Sequence, residues 1–463
     1  MTNLGYIPEE PIAAIATPLA PGAIGIVRTS GKGCINLVAE IFSRPKSLTG
    51  AAGNTLVYGW ILDGESRVDE VMLGVYRAPK SFTGEDMVEI FCHGGTAVVS
   101  AILSLLLRSG FRCAEKGEFT FRSYINGKTD LTRAEAVREI IESKTDTSRG
   151  HAAGRLAGNL FEEISGIKKL IVDTLAAIEV EIEYPEDEET IADSFDRADL
   201  IQAKERLGSL VASWKSEKLF QDGVRVVLCG KTNAGKSSLF NALLKEDRAI
   251  VSDIEGTTRD YLESWASFDG IPARIFDTAG LRRTDDAIEA EGVERTKDLS
   301  GEADLILYLS DATVGIQKDD EDFLSIARDM PMVLVWNKCD SEKKNPLPSP
   351  ELLEKMHIAA AVEISAKKGN GIGDLCKSVK SILMKSDEEN RNQTGLGSDR
   401  QKKSVEEALE RVDHALIAAE SGLALDAVVQ DLEDSLDSLG EVTGEVTPDD
   451  ILESIFSNFC VGK

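Results

Sequence analysis

The strongest constraint on the fold of this chain is a glycine-rich stretch between two apolar patterns. The residues "VRVVLCG" (224–230) have the mostly apolar, β-branched character of a buried strand, and "GKTNAGKSS" (230–238) leads from them into a helical pattern. Its glycines let the backbone turn several amides inward around phosphate oxygens. Lys236 adds a cation there, and the Ser237 hydroxyl is suited to ligate Mg²⁺. This strand–loop–helix unit predicts a P-loop.

The residues downstream continue the same alternation. The segments "ARIFDTAG" (273–280), "ADLILYLSDA" (303–312) and "MVLVWNKCD" (332–340) are short β-rich runs separated by helical patterns. Alternation of this kind is typical of a parallel sheet covered by helices. We expect this α/β domain to end near a polar hinge, "KSDEENRNQTGLGSDRQKK" (385–403).

Two further motifs of this domain resemble those with which GTP-binding proteins read the base. Asn337 and Asp340 of "NKCD" are spaced like the guanine-reading motif. A carboxylate at Asp340 accepts from both the ring N–H and the exocyclic amine of guanine, and adenine lacks that pair of donors. Lys338 is expected to lie along the base. The "SAK" segment (365–367) resembles the loop that closes over it.

Two more motifs resemble the segments that sense the terminal phosphate. "GTTRD" (256–260) supplies Thr258 as a second hydroxyl on Mg²⁺, and in "DTAG" Asp277 orients the metal through water while Gly280 offers an amide to the γ-phosphate. The residues predicted to bind GTP are Asn233, Ala234, Gly235, Lys236, Ser237, Ser238, Ser252, Asp253, Ile254, Glu255, Gly256, Thr257, Thr258, Asp277, Thr278, Ala279, Gly280, Asn337, Lys338, Asp340, Ser365, Ala366 and Lys367.

One position departs from the Ras-like pattern. Leu281 stands where Ras-like proteins carry the glutamine that orients the attacking water. Leucine cannot hold a water, so either hydrolysis is very slow or the catalytic group lies elsewhere. Spacing alone does not choose among four nearby carboxylates, which are those of Asp285, Asp286, Glu289 and Glu291.

Helical patterns flank the α/β domain on both sides. Apolar residues recur every three or four positions from Ile164 to Ile182, and again from Val405 to Leu439. Strand-like runs in residues 1–125, before the first helical pattern, suggest an α+β unit. We therefore predict an α+β and α/β multidomain chain, with a Ras-like P-loop domain inserted into a helical one. The predicted domains are 1–125 (α+β), 126–222 (helical, first half), 223–386 (inserted domain) and 387–463 (helical, second half).

Composition limits the partners and the compartment. The net charge of −28 argues against a large nonspecific nucleic-acid surface. No apolar run approaches the ~20 residues that cross a bilayer, and the first ten residues lack the pattern of a signal peptide. The seven cysteines have no paired spacing, which indicates free thiols. We expect a cytoplasmic protein without membrane contact.

Motifs along nearly the whole chain resemble those of the bacterial tRNA modification GTPase family called MnmE or TrmE. The family also inserts a GTPase domain into a helical one. The segments that carry the resemblance are "ATPLAPGAIGIVRTSG" (16–31), "SFTGEDMVEIFCHGG" (81–95), "GEFTFRSYINGKTDLTRAEAV" (117–137), "AIEVEIEYPED" (177–187) and "LGEVTGEVTPDDILESIFSNFCVGK" (439–463).

The resemblance implies how this chain hydrolyses GTP without the glutamine. It assigns the catalytic carboxylate to Glu289, and it replaces an arginine by K⁺ held between two paired GTPase domains. The implied K⁺ ligands are Asn233 through its side chain and Ser252, Ile254 and Thr257 through carbonyls. Relatives often carry threonine at the Ser252 position, which matters little if the ligand is a carbonyl. Ser237 and Thr258 remain the expected Mg²⁺ ligands.

The resemblance also implies a cofactor and partners. The N-terminal domain is expected to form a homodimer and to bind a 5-formyltetrahydrofolate-type folate. The implied folate residues are Arg28, Glu85, Lys128 and Lys463. Lys116 departs from the family, which usually has proline there. Cys460 of "FCVGK" is expected to serve tRNA modification rather than GTP hydrolysis. The expected partners are tRNA and the flavin- and NADH-using protein MnmG, in a heterotetramer that installs a 5-carboxymethylaminomethyl group on the wobble uridine.

Two other functions stay open from the sequence. A ribosome-assembly GTPase would use a related switch domain, but it should carry a basic RNA-binding module, and none is evident in this acidic chain. A folate-sensing scaffold would use GTP only to lock a dimer. The adjacent Cys92 and His93 do not predict a nucleophilic pair, because neighbouring residues rarely face each other productively.

Overall fold

The computed structural model describes residues 10–183, 197–246, 263–277, 303–318, 320, 330–384, 394–421 and 425–463. The chain divides into two compact units. The first unit comprises Met1–Arg138, Arg155–Leu207 and Ser398–Lys463, and the second comprises Glu139–Gly154 and Gly208–Gly397. Within the described ranges, no helix has both the length and the apolar character that crossing a membrane requires.

The first unit begins with a mixed sheet. Its strands are β1 (Ile12–Ile15), β2 (Ile24–Ser30), β3 (Thr55–Asp63), β4 (Ser66–Tyr76), β5 (Met87–His93) and β6 (Arg112–Cys113). They lie in the order β3-β4-β5-β2-β1-β6, and all pairs are antiparallel except β1 with β6. The accompanying helices are α1 (Cys34–Glu40), α2 (Pro45–Thr49), α3 (Thr96–Arg108) and α4 (Glu118–Ile125).

One face of this sheet forms the core. Alternate residues of β4, including Leu73 and Val75, are fully buried, and they belong to one cluster with Ile102 and Leu106 of α3. Successive side chains of a strand point to opposite faces, so the other residues of β3 and β4 lie on the outer face. The sequence predicts this α+β arrangement, and the structure confirms it.

Long helices follow. They are α5 (Leu131–Glu142), α6 (Asp146–Ala157), α7 (Asn159–Glu183) and α8 (Ala198–Asp222), and later α12 (Asp399–Glu420), α13 (Leu425–Thr443) and α14 (Asp449–Ser457). In the first unit, α13 packs against both α7 and α12. The predicted apolar stripe is buried at Ile164, Ile171 and Ile178 of α7 and at Val412 of α12. The apolar period therefore identifies the buried helix faces.

The second unit contains a mostly parallel sheet. Its strands are β7 (Val224–Gly230), β8 (Glu263–Phe268), β9 (Ile271–Asp277), β10 (Leu305–Asp311), β11 (Met332–Asn337) and β12 (Ala360–Glu363). The order is β12-β11-β10-β7-β9-β8, and only β8 runs antiparallel to its neighbour. The helices of this unit include α9 (Lys236–Glu246), α10 (Pro350–Lys355) and α11 (Ile372–Leu383).

Both faces of this second sheet are covered. Leu305 and Leu307 of β10 belong to one buried cluster, and Ile306 and Tyr308 between them belong to another. Double coverage explains why these strands read as continuous apolar runs. Since parallel strands end at one edge, the segments after β7, β10, β11 and β12 meet there. The predicted fold class is confirmed.

Candidate nucleotide site

The loop between β7 and α9 has the backbone of a P-loop. Gly230 has φ +133° and Gly235 has φ +100°, and Asn233 between them also lies in the left-handed region at φ +64°. A Cβ on Gly230 would lie 2.2 Å from the carbonyl oxygen of Leu309. A side chain at this position would therefore collide with β10, so the glycine is required by close packing as well as by dihedral angle.

Lys236 places its charge inside this loop. Its ammonium donates to the carbonyl oxygens of Gly230 at 2.5 Å and of Lys231 at 2.8 Å, and the residue is 9% exposed. Ser237 and Ser238 follow in the first turn of α9 and are exposed. The start of a helix offers free amides and a partial positive charge, so cation, amides and hydroxyls together suit a bound polyphosphate with its metal ion.

A cavity of 320 Å³ adjoins the loop at the same edge of the sheet. Thr313 and Ser341 are lining residues that the sequence motifs did not point to. Both follow strands that end at this edge, β10 and β11, which is the signal that would have found them. The other lining residues are all predicted nucleotide contacts, namely Gly235, Ser238, Asn337, Lys338, Asp340, Ser365, Ala366 and Lys367.

Asn337 ties three loops together at this cavity. Its side-chain amide donates to the carbonyl oxygen of Ala234 at 2.7 Å, and its side-chain oxygen accepts from the backbone N–H of Ala366 at 3.0 Å. The residue is 3% exposed. Because both hydrogen bonds are buried, the loss of this side chain would leave two polar groups of neighbouring loops unsatisfied.

Asp340 presents an ionised carboxylate to the cavity. The Ser365 hydroxyl donates to its Oδ1 at 2.9 Å, and the Lys368 ammonium lies 3.4 Å from its Oδ2. The hydrogen bond from Ser365, together with Lys368, lowers the pKa of Asp340 below its ordinary value. At neutral pH the group is therefore an acceptor only, as the recognition of two guanine donors requires.

The side chain of Lys338, which lines the cavity, extends toward the end of β10. Its ammonium lies 2.7 Å from Oδ2 of Asp311, the last residue of β10. The other carboxylate oxygen of Asp311 accepts from both the backbone N–H and the hydroxyl of Thr313. Burial raises the pKa of Asp311, but the hydrogen bonds from Lys338 and Thr313 outweigh it and leave the pKa lowered.

Several predicted nucleotide residues lie outside the described ranges. Asp277 closes β9, and only its backbone is described. The others are Ser252, Asp253, Ile254, Glu255, Gly256, Thr257, Thr258, Thr278, Ala279, Gly280 and the catalytic candidate Glu289, together with the alternative carboxylates Asp285, Asp286 and Glu291.

The predicted folate residues lie near one another in the first unit. Arg28 of β2 hydrogen-bonds Glu89 at 2.9 Å and the carbonyl oxygen of Gly462 at 3.2 Å, so the chain's C-terminal segment reaches the sheet. The next residue, Lys463, accepts through its carbonyl oxygen from the N–H of Phe119. Burial, with Arg28 nearby, lowers the pKa of Lys463. Two cations thus share one partly buried region.

Of the other two predicted folate residues, Glu85 bonds a buried arginine and Lys128 lies beside Gly84. Oε2 of Glu85 accepts from the Ser30 hydroxyl at 2.7 Å and from Arg122 at 2.9 Å. Ser30 closes β2, the strand that carries Arg28, and the stem of Lys128 packs beside Gly84. Sequence reasoning missed Arg122, which is fully buried and also bonds Glu118 at 2.8 Å. Its signal is the i,i+4 spacing from Glu118.

Two sequence details are resolved here. Lys116 forms an isolated β-bridge with Val461, and Cys460, the residue before Val461, is exposed. Cys92 and His93 are neighbours on β5. The Cys92 thiol is buried and donates to the carbonyl of Gly25, and burial raises its pKa to about 11. Such a thiol is a poor nucleophile, in agreement with the prediction.

The glycine loop, the buried lysine and the carboxylate-lined cavity at the end of a parallel sheet define the class: a P-loop GTP-binding protein. Two family models match this chain. The GTP-binding protein TrmE N-terminus matches residues 11–128, and the MnmE helical domain matches residues 131–460. The second match alone spans more than half of the chain.

Curated relatives agree along the full length. The tRNA modification GTPase MnmE of Treponema denticola is 53% identical, with 99% of each chain covered. Proteins of the same name from Treponema pallidum and Carboxydothermus hydrogenoformans are 43% and 42% identical, with at least 98% of each chain covered. A structure of Aquifex aeolicus Era bound to GDP and AlF4⁻, 27% identical, covers 41% of this chain and 66% of that chain at a TM-score of 0.27, too low to support an argument. This chain belongs to the MnmE family of tRNA modification GTPases.

Proposed function

We propose that this GTPase drives 5-carboxymethylaminomethyl modification of the wobble uridine of tRNA, together with a flavin- and NADH-using MnmG-type protein. The observation that carries the proposal is the 53% identity with a tRNA modification GTPase over 99% of both chains. GTP hydrolysis would supply a conformational cycle rather than chemistry on the uridine, an inference supported by the cavity, because most of the residues that line it are predicted nucleotide contacts.

The test is mass spectrometry of wobble nucleosides in bacteria that lack the gene for this chain. We expect the 5-carboxymethylaminomethyl nucleoside to disappear and to return when the wild-type gene is restored. Restoring an Asp340→Asn gene is the matched control for GTP dependence, and it should not rescue the modification. Unchanged tRNA in the deletion strain would refute the proposed pathway while leaving GTP hydrolysis intact.

The described residues fit the proposed GTP site with Mg²⁺ and K⁺. The Ser237 hydroxyl stands at the first turn of α9 beside Lys236, where a Mg²⁺ ligand next to the phosphates is expected. Asn233 is exposed at the tip of the loop, and its side-chain oxygen is a hard ligand suited to an alkali cation. Bound there, K⁺ would supply positive charge in the transition state, a part that arginine plays in other GTPases.

We assign the water-polarising role to Glu289. A carboxylate acting through a second water is sound general-base chemistry. Leu281 has no polar atom on its side chain with which to take this role. The Lys236 ammonium and the amides of the P-loop would hold the β- and γ-phosphates in line for attack.

The cluster around Arg28 fits a folate-type ligand. Arg28, Lys128 and Lys463 offer cations to the ligand's carboxylates, and Glu85 offers acceptors to the N–H groups of a pterin ring. The lowered pKa of Lys463 reflects burial, and an anionic ligand would relieve the cost of burying this charge. When bound, the folate would supply a one-carbon unit.

Folate binding is tested on the full-length protein by calorimetry with 5-formyltetrahydrofolate. We expect Arg28→Ala to weaken the affinity by about tenfold or more, because a charge-assisted contact is lost. Arg108→Ala is the matched control, since Arg108 pairs with Asp63 on the exposed surface. Equal affinity of the wild type and Arg28→Ala would remove Arg28 from the site.

The outer face of the first sheet supports the proposed homodimer. Ile24, Leu56, Tyr58 and Met72 are 64%, 62%, 43% and 37% exposed, and strand pairing places Tyr58 opposite Met72 and Met72 opposite Phe91. A contiguous exposed apolar face on a folded domain indicates an interaction surface. A second copy of the same domain is the partner that we assign to it.

A further inference from the structure

We infer that Asp311 is a positioning residue of the guanine pocket, which holds Lys338 and Thr313 in place as two of its walls. The inference rests on the pocket proposed above and adds a residue outside its sequence motifs. Asp311 closes β10 and is not itself one of the lining residues, whereas Lys338 and Thr313 both are.

The two carboxylate oxygens of Asp311 bind different residues. Oδ1 accepts from the Thr313 backbone N–H at 2.9 Å and from its hydroxyl at 2.7 Å. Oδ2 accepts from the Lys338 ammonium at 2.7 Å, and the Asp311 side chain is 17% exposed. A partly desolvated ion pair anchored at one oxygen fixes its cation more firmly than an exposed pair does.

The backbone around this carboxylate is also fixed. The N–H of Ala312 donates to the carbonyl oxygen of Asn337 at 2.9 Å, and the carbonyl oxygen of Ala312 accepts from the N–H of Asn345 at 2.7 Å and from its side chain at 3.0 Å. Asp311 therefore stands on a turn that is tied on both sides to the chain carrying Lys338.

This arrangement determines where the lysine stem lies. Lys338 has φ +66°, so its backbone is already committed to an uncommon conformation, while its four-carbon stem keeps several rotamers. Pairing with Asp311 selects the rotamers in which the stem lies along the cavity. The aliphatic stem then forms a wall for the flat face of the base before nucleotide arrives.

The test is a double-mutant cycle on the full-length protein, with a fluorescent GDP analogue as the probe. Asn keeps an oxygen for Thr313 but loses the charge that holds Lys338, so Asp311→Asn spares the turn. We expect GDP dissociation to quicken by about tenfold. GTP and GDP affinities should fall by the same factor. The value of kcat at saturating GTP should change by less than about twofold, because the lost contact stabilises the bound nucleotide equally in the ground state and in the transition state.

The cycle is closed with Lys338→Met. If Asp311 acts through Lys338, Asp311→Asn has no further effect in the Lys338→Met background. Fully additive effects, or unchanged GDP dissociation in Asp311→Asn, would overturn the inference. A fall in kcat with unchanged affinity would overturn it as well, since it would place Asp311 at the phosphate end.

A separate arm tests the pocket itself. Asp340→Asn should abolish tight GDP binding whether or not Asp311 matters. If Asp340→Asn binds GDP normally, the proposed pocket is wrong; if only Asp311→Asn binds normally, the positioning role alone is wrong.

Amine labelling of the wild type followed by mass spectrometry needs no variant. We expect Lys338 to react more slowly than the exposed Lys343, and equal rates would contradict the ion pair.

Discussion

Asn337 and Asp340 lie three residues apart in the sequence but have different surroundings and different hydrogen-bonding partners. Asn337 is buried and satisfies the loops around it, whereas Asp340 keeps its carboxylate open to the cavity. The buried position of Asn337 and the open position of Asp340 explain why one is an amide and the other a carboxylate. A neutral amide both donates and accepts inside the protein, and a charged acceptor reads two donors of a base. The sequence motif predicts the role of Asp340, which depends on the chemistry of one side chain, whereas the hydrogen bonds by which Asn337 joins its neighbouring loops come from the structure.

Changing Asp340 to asparagine should alter which base is bound. The amide has an acceptor oxygen and a donor NH₂ group in place of two acceptor oxygens, so guanine loses a charge-assisted pair of hydrogen bonds. We expect GTP affinity to fall by about 100-fold or more. Xanthosine triphosphate, which has a carbonyl in place of the exocyclic amine, should bind Asp340→Asn better than GTP does. Competition binding with the two nucleotides measures this, and a variant that still prefers GTP would speak against the assignment.

Monovalent cations should control the rate of turnover. With K⁺ at Asn233 supplying transition-state charge, we expect kcat in KCl to exceed kcat in NaCl by about tenfold or more. Asn233→Ala should erase the difference between the salts while leaving GDP affinity nearly unchanged. Phosphate release at equal ionic strength is the measurement. Equal rates in the two salts for the wild type would exclude K⁺ from this role.

At the scale of elements, the sequence predicts the helices and strands that depend on local patterns, but not the contacts between residues far apart in the chain. The apolar periods of α7, α12 and α13 and the strands β7, β9, β10 and β11 follow from residues close in sequence. The position of β8 as an antiparallel edge strand does not, nor does the buried Arg122. Arg28 meets Gly462 across 434 positions, and no local pattern encodes such a contact.

The junction of α14 with α4 should be a major source of stability in the first unit. Phe456 is fully buried, and its ring lies 5.2 Å from that of Phe121, edge to face. We expect Phe456→Ala to lower the free energy of unfolding by about 3–5 kcal/mol, as large cavities in a core do. Ile125→Ala, at an exposed position on α4, should cost less than about 1 kcal/mol.

Chemical denaturation followed by the near-UV signal of the full-length protein compares the two variants with the wild type. Because the chain has two compact units, the transitions need not coincide, and the transition of the first unit is the one to follow. Similar midpoints for Phe456→Ala and Ile125→Ala would show that this aromatic cluster contributes little.

At the scale of the whole molecule, the acidic charge and the exposed apolar face have separate consequences. A net charge of −28 keeps molecules apart at long range, so any stable self-association must come from a local apolar contact. The outer sheet face of the first unit offers such a contact. The family assignment rests on full-length identity, whereas the bounds of the four predicted domains and the dimer stay predictions.

Charge placed on that face should separate the proposed dimer. We expect the double substitution Tyr58→Glu with Met72→Glu to give a monomer in size-exclusion chromatography with light scattering, because burying two carboxylates in an apolar interface is costly. Ile417→Glu is the matched control, since Ile417 is 53% exposed on α12. A dimer that survives the double substitution would place the interface elsewhere.

The meeting of Gly462 and Lys463 with Arg28 and Phe119 also has a consequence for synthesis. A ribosome makes Arg28 early, yet the groups that complete its surroundings emerge more than 400 positions later. The opening sheet can form, but this corner of it stays unfinished while the rest of the polypeptide is translated. A premature stop that removes only Gly462 and Lys463 would release a molecule whose P-loop is intact but whose Arg28 lacks the carbonyl oxygen that accepts its hydrogen bond.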